Sequence, residues 1–147
     1  MAHAFLSDDW AAALCAALTA SAAYREAAAT WEGDLCFVAR AGAAADGSRL
    51  GADRTAFLDL HRGACRGARA VADAATARPD GSAAAFAIAA AYGDWHRILG
   101  GALDPITAVM LGKLRVSGDT AAVLRHARAA KAMVACAASV ETAWPAD

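Results

Sequence analysis

The stretch Leu103-Asp104-Pro105-Ile106-Thr107-Ala108-Val109-Met110-Leu111-Gly112, continuing as Lys113-Leu114-Arg115-Val116-Ser117-Gly118-Asp119, carries more local structural signal than any other part of the sequence. Asp104 is an N-cap followed by proline at the first helical position, so a short helix opens at Ile106, runs to Leu111 and closes at Gly112. From Lys113 to Ser117 charged or polar residues alternate with apolar ones. This predicts a one-sided or edge strand with Leu114 and Val116 inward and Lys113, Arg115 and Ser117 toward solvent. Gly118-Asp119 then turns the chain and caps a long helix to about Val140, with Val123, Ala127, Ala130 and Val134 on one face. Trp144-Pro145 follows as a tail, within a C-terminal segment set at 139–147.

Working outward toward the N-terminus, Gly93-Asp94 caps a short helix, Trp95 to Leu99, which Gly100-Gly101 ends. Before it, Arg78-Pro79-Asp80-Gly81-Ser82 is a turn. The run Ala83 to Ala89 reads as a strand because its bulky residues, Phe86 and Ile88, stand two apart. Thr55 to His61 is a strand broken by Arg62-Gly63, Ala64 to Ala72 is its partner, and Leu35 to Ala39 is a further strand rich in bulky apolar types. Ala41 to Arg54, with Asp46-Gly47-Ser48, is a loop. At the start, Ser7 with Asp8 and Asp9 caps a helix through about Ala29, whose stripe carries Trp10 and Tyr24 as its large anchors.

Composition bounds the function. The chain has 147 residues, enough for one domain. Its 59% hydrophobic content overstates the core, because about a third of the residues are alanine, which offers little apolar area. No stretch is long and apolar enough to span a bilayer, and the acidic start is unlike a secretory signal, so the expected location is the cytoplasm. Cys15, Cys36, Cys65 and Cys136 are widely separated, which suits buried reduced thiols and argues against a metal site. With 14 basic and 15 acidic residues the chain lacks the charge of a nucleic-acid binder.

The run from Tyr92 to Asp119, with Asp94-Trp95, Ile98, Gly101, Leu103-Asp104-Pro105 and the Gly112-Lys113-Leu114-Arg115-Val116-Ser117-Gly118-Asp119 string, resembles the signature of the sterol-carrier-protein-two family. Trp10 to Trp31, including Tyr24-Arg25-Glu26-Ala27-Ala28, is similar to its small stand-alone bacterial members. The resemblance implies an α+β fold: a five-stranded, mainly antiparallel sheet with helices on one face, enclosing an apolar cavity. It also implies an apolar ligand of the sterol, fatty-acid or fatty-acyl-CoA class, with no cofactor. The lining expected on that basis is Trp95, Ile98, Leu99, Ile106, Val109, Met110 and Leu114, with Phe57 and Phe86 as floor. Arg115, Arg125, Arg128 and Lys131 offer a basic surface for transient contact with anionic headgroups.

Two other readings stand beside the carrier. In one, the same fold is a non-catalytic dimerisation module with a filled interior, and Trp10, Tyr24 and Trp31 or the sheet supply the subunit contact. In the other, Asp59 and His61, two apart on a strand, share a face, as a carboxylate orienting a catalytic imidazole requires; the alternative is a surface pair. His96 beside Asp94 reads as part of a helix start, and His126 as a residue of the solvated face of the last helix.

Overall fold

The computed structural model describes residues 2–145. In chain order the elements are β1 (His3–Ala4), α1 (Asp8–Ala20), α2 (Ala22–Ala27), β2 (Leu35–Arg40), β3 (Gly42–Ala43), β4 (Arg49–Leu50), β5 (Arg54–His61) and β6 (Ala64–Val71). A 3-10 turn, Ala74–Thr76, leads to β7 (Phe86–Ala91), α3 (Tyr92–Leu99), α4 (Pro105–Met110), β8 (Arg115–Ser117), α5 (Thr120–Arg125), α6 (Ala127–Ser139) and β9 (Thr142–Ala143). The principal sheet has the order β6-β5-β2-β7-β8, antiparallel throughout except for the β2–β7 pair, so it is a mixed sheet.

The two-residue period of the strands decides which side chains meet the helices. In β2, Leu35, Phe37 and Ala39 join the main core beneath the helices, while Cys36 turns to the far face and packs in a small cluster with Phe57 and Ala77. The register carries the inner face across the sheet: Leu35 pairs with Leu58 and Phe86, Phe37 with Ile88, and Ile88 with Val116. The helical layer above consists of α1 over β6, with α6 packed against α1, α2, α3 and α4.

Two expected helices are broken. At Ser21 the chain leaves α1 in an extended conformation, and the Ser21 hydroxyl accepts from Tyr24 N at 3.1 Å, capping a separate α2 that ends at Ala27 rather than Ala29. Alanine offers no side chain to compete with this cap, so one serine redirects the chain. A second break falls at His126 between α5 and α6, where the backbone leaves the helix at φ −107° and ψ 35° with no side-chain cap. β7 starts at Phe86, three residues later than expected, because Ala83 to Ala85 have no bulk to bury and only Phe86 onward pairs with β2. β8 likewise excludes Lys113 and Leu114. Helix α3 begins at Tyr92 without a side-chain cap, and Asp94 instead faces Arg97 at 3.9 Å and Lys113 at 4.0 Å.

The cysteine expectation also fails in part. Cys15 on α1 and Cys65 on β6 form a disulfide with Cα atoms 5.3 Å apart, while Cys36 and Cys136 are free and buried. The residues after α6 are packed rather than loose: β9 lies parallel to β1, and the Trp144 ring sits 4.9 Å from Phe5 and 4.5 Å from His96.

A candidate lipid-binding cavity

Between the inner sheet face and the α4–α6 wall lies a hollow of about 60 Å³. A space of about 10–15 Å³ admits one water, so this hollow is a true vacancy of several such volumes. Its floor is Leu35, Phe37, Phe86, Ile88 and Val116 from the sheet. One wall is α4, through Pro105, Ile106 and Val109; the other is Val123 with Ala129, Ala130, Met133 and Val134 of α6. Small alanines on α6 opposite large sheet residues leave the space open, since no side chain extends to fill it.

Aromatic residues fix the ends. The Trp95 indole donates to Val38 O at 2.8 Å and lies 5.0 Å from Phe37, which locks both rings into the floor. Trp31 donates from Nε1 to Gly33 O at 2.9 Å and packs 4.7 Å from Phe86. The His126 ring stands edge-on to Trp31 at 5.1 Å. His126 Nδ1 is 2.9 Å from Ala122 O and Nε2 is 3.1 Å from Thr30 Oγ1. A carbonyl only accepts, so in the neutral ring Nδ1 donates and Nε2 accepts from the threonine hydroxyl. Tyr24 completes this end, and burial, reinforced by Cys136, pushes its hydroxyl pKa up to about 12. Among the described residues the lining contains no lysine, arginine, aspartate or glutamate.

Of the residues named from sequence, Trp95, Ile106, Val109, Leu114 and Phe86 lie in this wall. Phe57 does not: its register partner is Cys36, so it points to the far sheet face, where Arg69 lies 5.4 Å over its ring. Ile98 and Leu99 are buried in the core away from the hollow. Met110 stands 81% exposed: the buried residue of the six-residue α4 is Ala108, and a position two further on lies more than half a turn around the helix from it. His126, expected in solvent, belongs to the wall. Trp10, Tyr24 and Trp31, offered as subunit contacts, are all buried within the chain. The missed floor residues Leu35, Phe37 and Ile88 carried a usable signal, the same two-residue alternation that placed Phe86.

The Asp59 carboxylate is engaged by an arginine of the neighbouring strand. Between Leu58 and Leu60 the ladder slips, with three steps of β6 passing two of β5. At this irregularity Arg66 reaches the Asp59 carboxylate at 3.0 Å. Near His96, Nε2 meets Asp46 Oδ2 at 3.0 Å instead of Asp94. On the outer surface Arg125 faces Asp119 and Lys131 faces Asp104, each at 3.9 Å, while Arg115 and Arg128 are exposed.

The sequence model of the SCP-2 sterol transfer family matches residues 12–131. The chain belongs to this family. A crystal structure titled sterol carrier protein 2 is 38% identical, covering 92% of this chain and 98% of that one, with a TM-score of 0.76. A solution structure from Thermus thermophilus, titled as a conserved hypothetical protein and possible sterol carrier protein, is 35% identical. It covers 100% of this chain and 97% of that one, also at a TM-score of 0.76. The apo form of sterol carrier protein 2 from Yarrowia lipolytica shares the fold at 15% identity and a TM-score of 0.56, covering 87% of this chain and 88% of that one. A search of curated proteins finds no match.

Proposed function

We propose that this member of the SCP-2 family is a non-catalytic carrier that takes an apolar lipid of the sterol, fatty-acid or fatty-acyl-CoA class into the α4–α6 hollow. The observation that carries the reading is the vacancy itself, which is lined by apolar side chains and has no lysine, arginine, aspartate or glutamate among the described residues of its wall. Transfer of an alkyl chain from water into such a lining gains on the order of 0.8 kcal/mol per methylene. Roughly ten buried methylenes therefore meet the lower range of association costs, about 4–15 kcal/mol.

As it stands, the hollow of about 60 Å³ receives only the first few carbons. A longer tail presses α4 away from α6. The short α4 suits this, since it is held at its start by the Asp104 cap and flanked by Gly101 and Gly112, both at positive φ. The tip of the same helix exposes Met110 and Leu111, 81% and 62% accessible, just before Lys113 and Arg115. Apolar tip and basic neighbours together suit a brief contact with an anionic membrane surface during exchange, on the cytoplasmic side.

Native mass spectrometry of the protein purified from cells tests the reading without assuming a ligand. Co-purifying apolar adducts are the expected result. Protein that carries no adduct and takes up no diphenylhexatriene, a fluorescent hydrocarbon, is not a carrier; a concentration-dependent dimer in that case favours the interaction module.

A further inference from the structure

One polar atom in the cavity wall has no partner. The Trp10 indole donates to Thr142 Oγ1 at 2.9 Å, Trp31 to Gly33 O at 2.9 Å and Trp95 to Val38 O at 2.8 Å, and the Tyr92 hydroxyl is 2.7 Å from Ser48 Oγ. The Tyr24 hydroxyl makes no hydrogen bond among the described residues, although Tyr24 is only 1% exposed. No fully enclosed side-chain oxygen among the described residues lacks a partner, so this hydroxyl keeps a sliver of accessible surface, and Tyr24 is one of the residues that line the hollow. His126, the other polar group at this end, is committed at both ring nitrogens to Ala122 O and Thr30 Oγ1.

A buried hydroxyl left unsatisfied costs about 1–3 kcal/mol, which a ligand oxygen at this point recovers. The surroundings restrict what that oxygen can belong to. With no lysine or arginine among the described residues of the lining, an ionised carboxylate drawn in here is left with a single neutral donor, far short of the hydration it loses. An alcohol or carbonyl oxygen loses much less and gains the same bond.

We infer that the Tyr24 hydroxyl is the polar anchor of the cavity, binding a neutral alcohol or carbonyl oxygen at the inner end of an apolar ligand and selecting such ligands over ionised fatty acids. The inference rests on the carrier reading and adds to it the polarity of the buried ligand end. Tyr24 keeps its proton at neutral pH, because burial raises its pKa to about 12, so it remains able to donate.

The test uses the full chain, with diphenylhexatriene as a hydrocarbon reference and 1-decanol and decanoate as competitors at pH 7.5. Wild type is expected to bind decanol more tightly than decanoate. In Tyr24→Phe, which retains the ring, the affinity for decanol relative to diphenylhexatriene is expected to fall about five-fold, the worth of one neutral hydrogen bond. An unchanged ratio in Tyr24→Phe, or decanoate binding as tightly as decanol in wild type, overturns the anchor while leaving the carrier intact. Failure of wild type to take up diphenylhexatriene overturns both.

Discussion

Asp34 grips Arg78 with both carboxylate oxygens, at 2.7 Å to Nε and 3.1 Å to Nη2, and accepts a third bond from Ala85 N at 2.7 Å. Asp34 immediately precedes β2, and Ala85 immediately precedes β7, so one side chain pins the start of the parallel pair that forms the cavity floor. Asp34→Ala leaves the Ala85 N–H and the guanidinium without their acceptor. It is expected to lower stability by about 2–3 kcal/mol, part of the Arg78 share being screened by solvent. Urea unfolding measures the loss.

The same carboxylate gives the protein an acid limit. Burial pushes the Asp34 pKa up, but the hydrogen bonds from Arg78 and Ala85 and the guanidinium charge together hold it below its ordinary value. A group whose pKa is depressed on folding contributes fully above its unfolded pKa, about 3.9, and loses that contribution as pH falls through the lower folded value. The wild-type urea midpoint should therefore drop below about pH 4 more steeply than that of Asp34→Asn, and parallel curves would exclude this role.

The Cys15–Cys65 bridge closes a loop with a sequence separation of 50 residues. Loop-closure entropy puts its contribution at about 4 kcal/mol, and measured bridges commonly give about 2–4. Reduction, or the double substitution Cys15→Ser with Cys65→Ser, should lower stability by that amount without emptying the cavity, since neither residue lines it. Thiol counting under denaturing conditions, two free against four, shows which state the purified protein holds.

Gly33 adopts φ +135°, and a Cβ there would lie 2.6 Å from Phe86 Cε2. The Phe86 ring is held by Trp31 and is part of the cavity floor, so it has little freedom to retreat. Gly33→Ala should cost about 2–4 kcal/mol in thermal or urea unfolding and should also weaken diphenylhexatriene uptake.

Met110 and Leu111 lie outside the cavity, so their replacement separates docking from binding. Met110→Ser with Leu111→Ser is expected to slow transfer of a fluorescent lipid from anionic vesicles several-fold while the folded stability changes by less than about 0.5 kcal/mol. An unchanged rate in a stopped-flow transfer assay removes the α4 tip from the exchange step.

Features fixed by neighbours in sequence were legible without the structure. The Asp104 and Asp119 caps are present, accepting from Thr107 N at 3.0 Å and Ala122 N at 3.2 Å, because a cap and the proline beside it act within one turn. Features decided by distant partners were not. The face taken by Phe57 depends on pairing with Cys36, and the disulfide depends on α1 lying over β6. The stripe of Trp10 and Tyr24 announces something to pack on but not what, and the covering layer proves to be the chain's own. Alanine hid the helix breaks at Ser21 and His126, since it fits helix and turn with equally little side-chain evidence.

The parallel β1–β9 ribbon sets His3 beside Thr142 and joins His3 N to Glu141 O at 2.9 Å. The backbone path thus comes within one hydrogen bond of a closed ring. A short linker between these ends, with a new opening at the exposed Asp80–Gly81 turn, would give a circular permutant that keeps every strand pairing of the principal sheet.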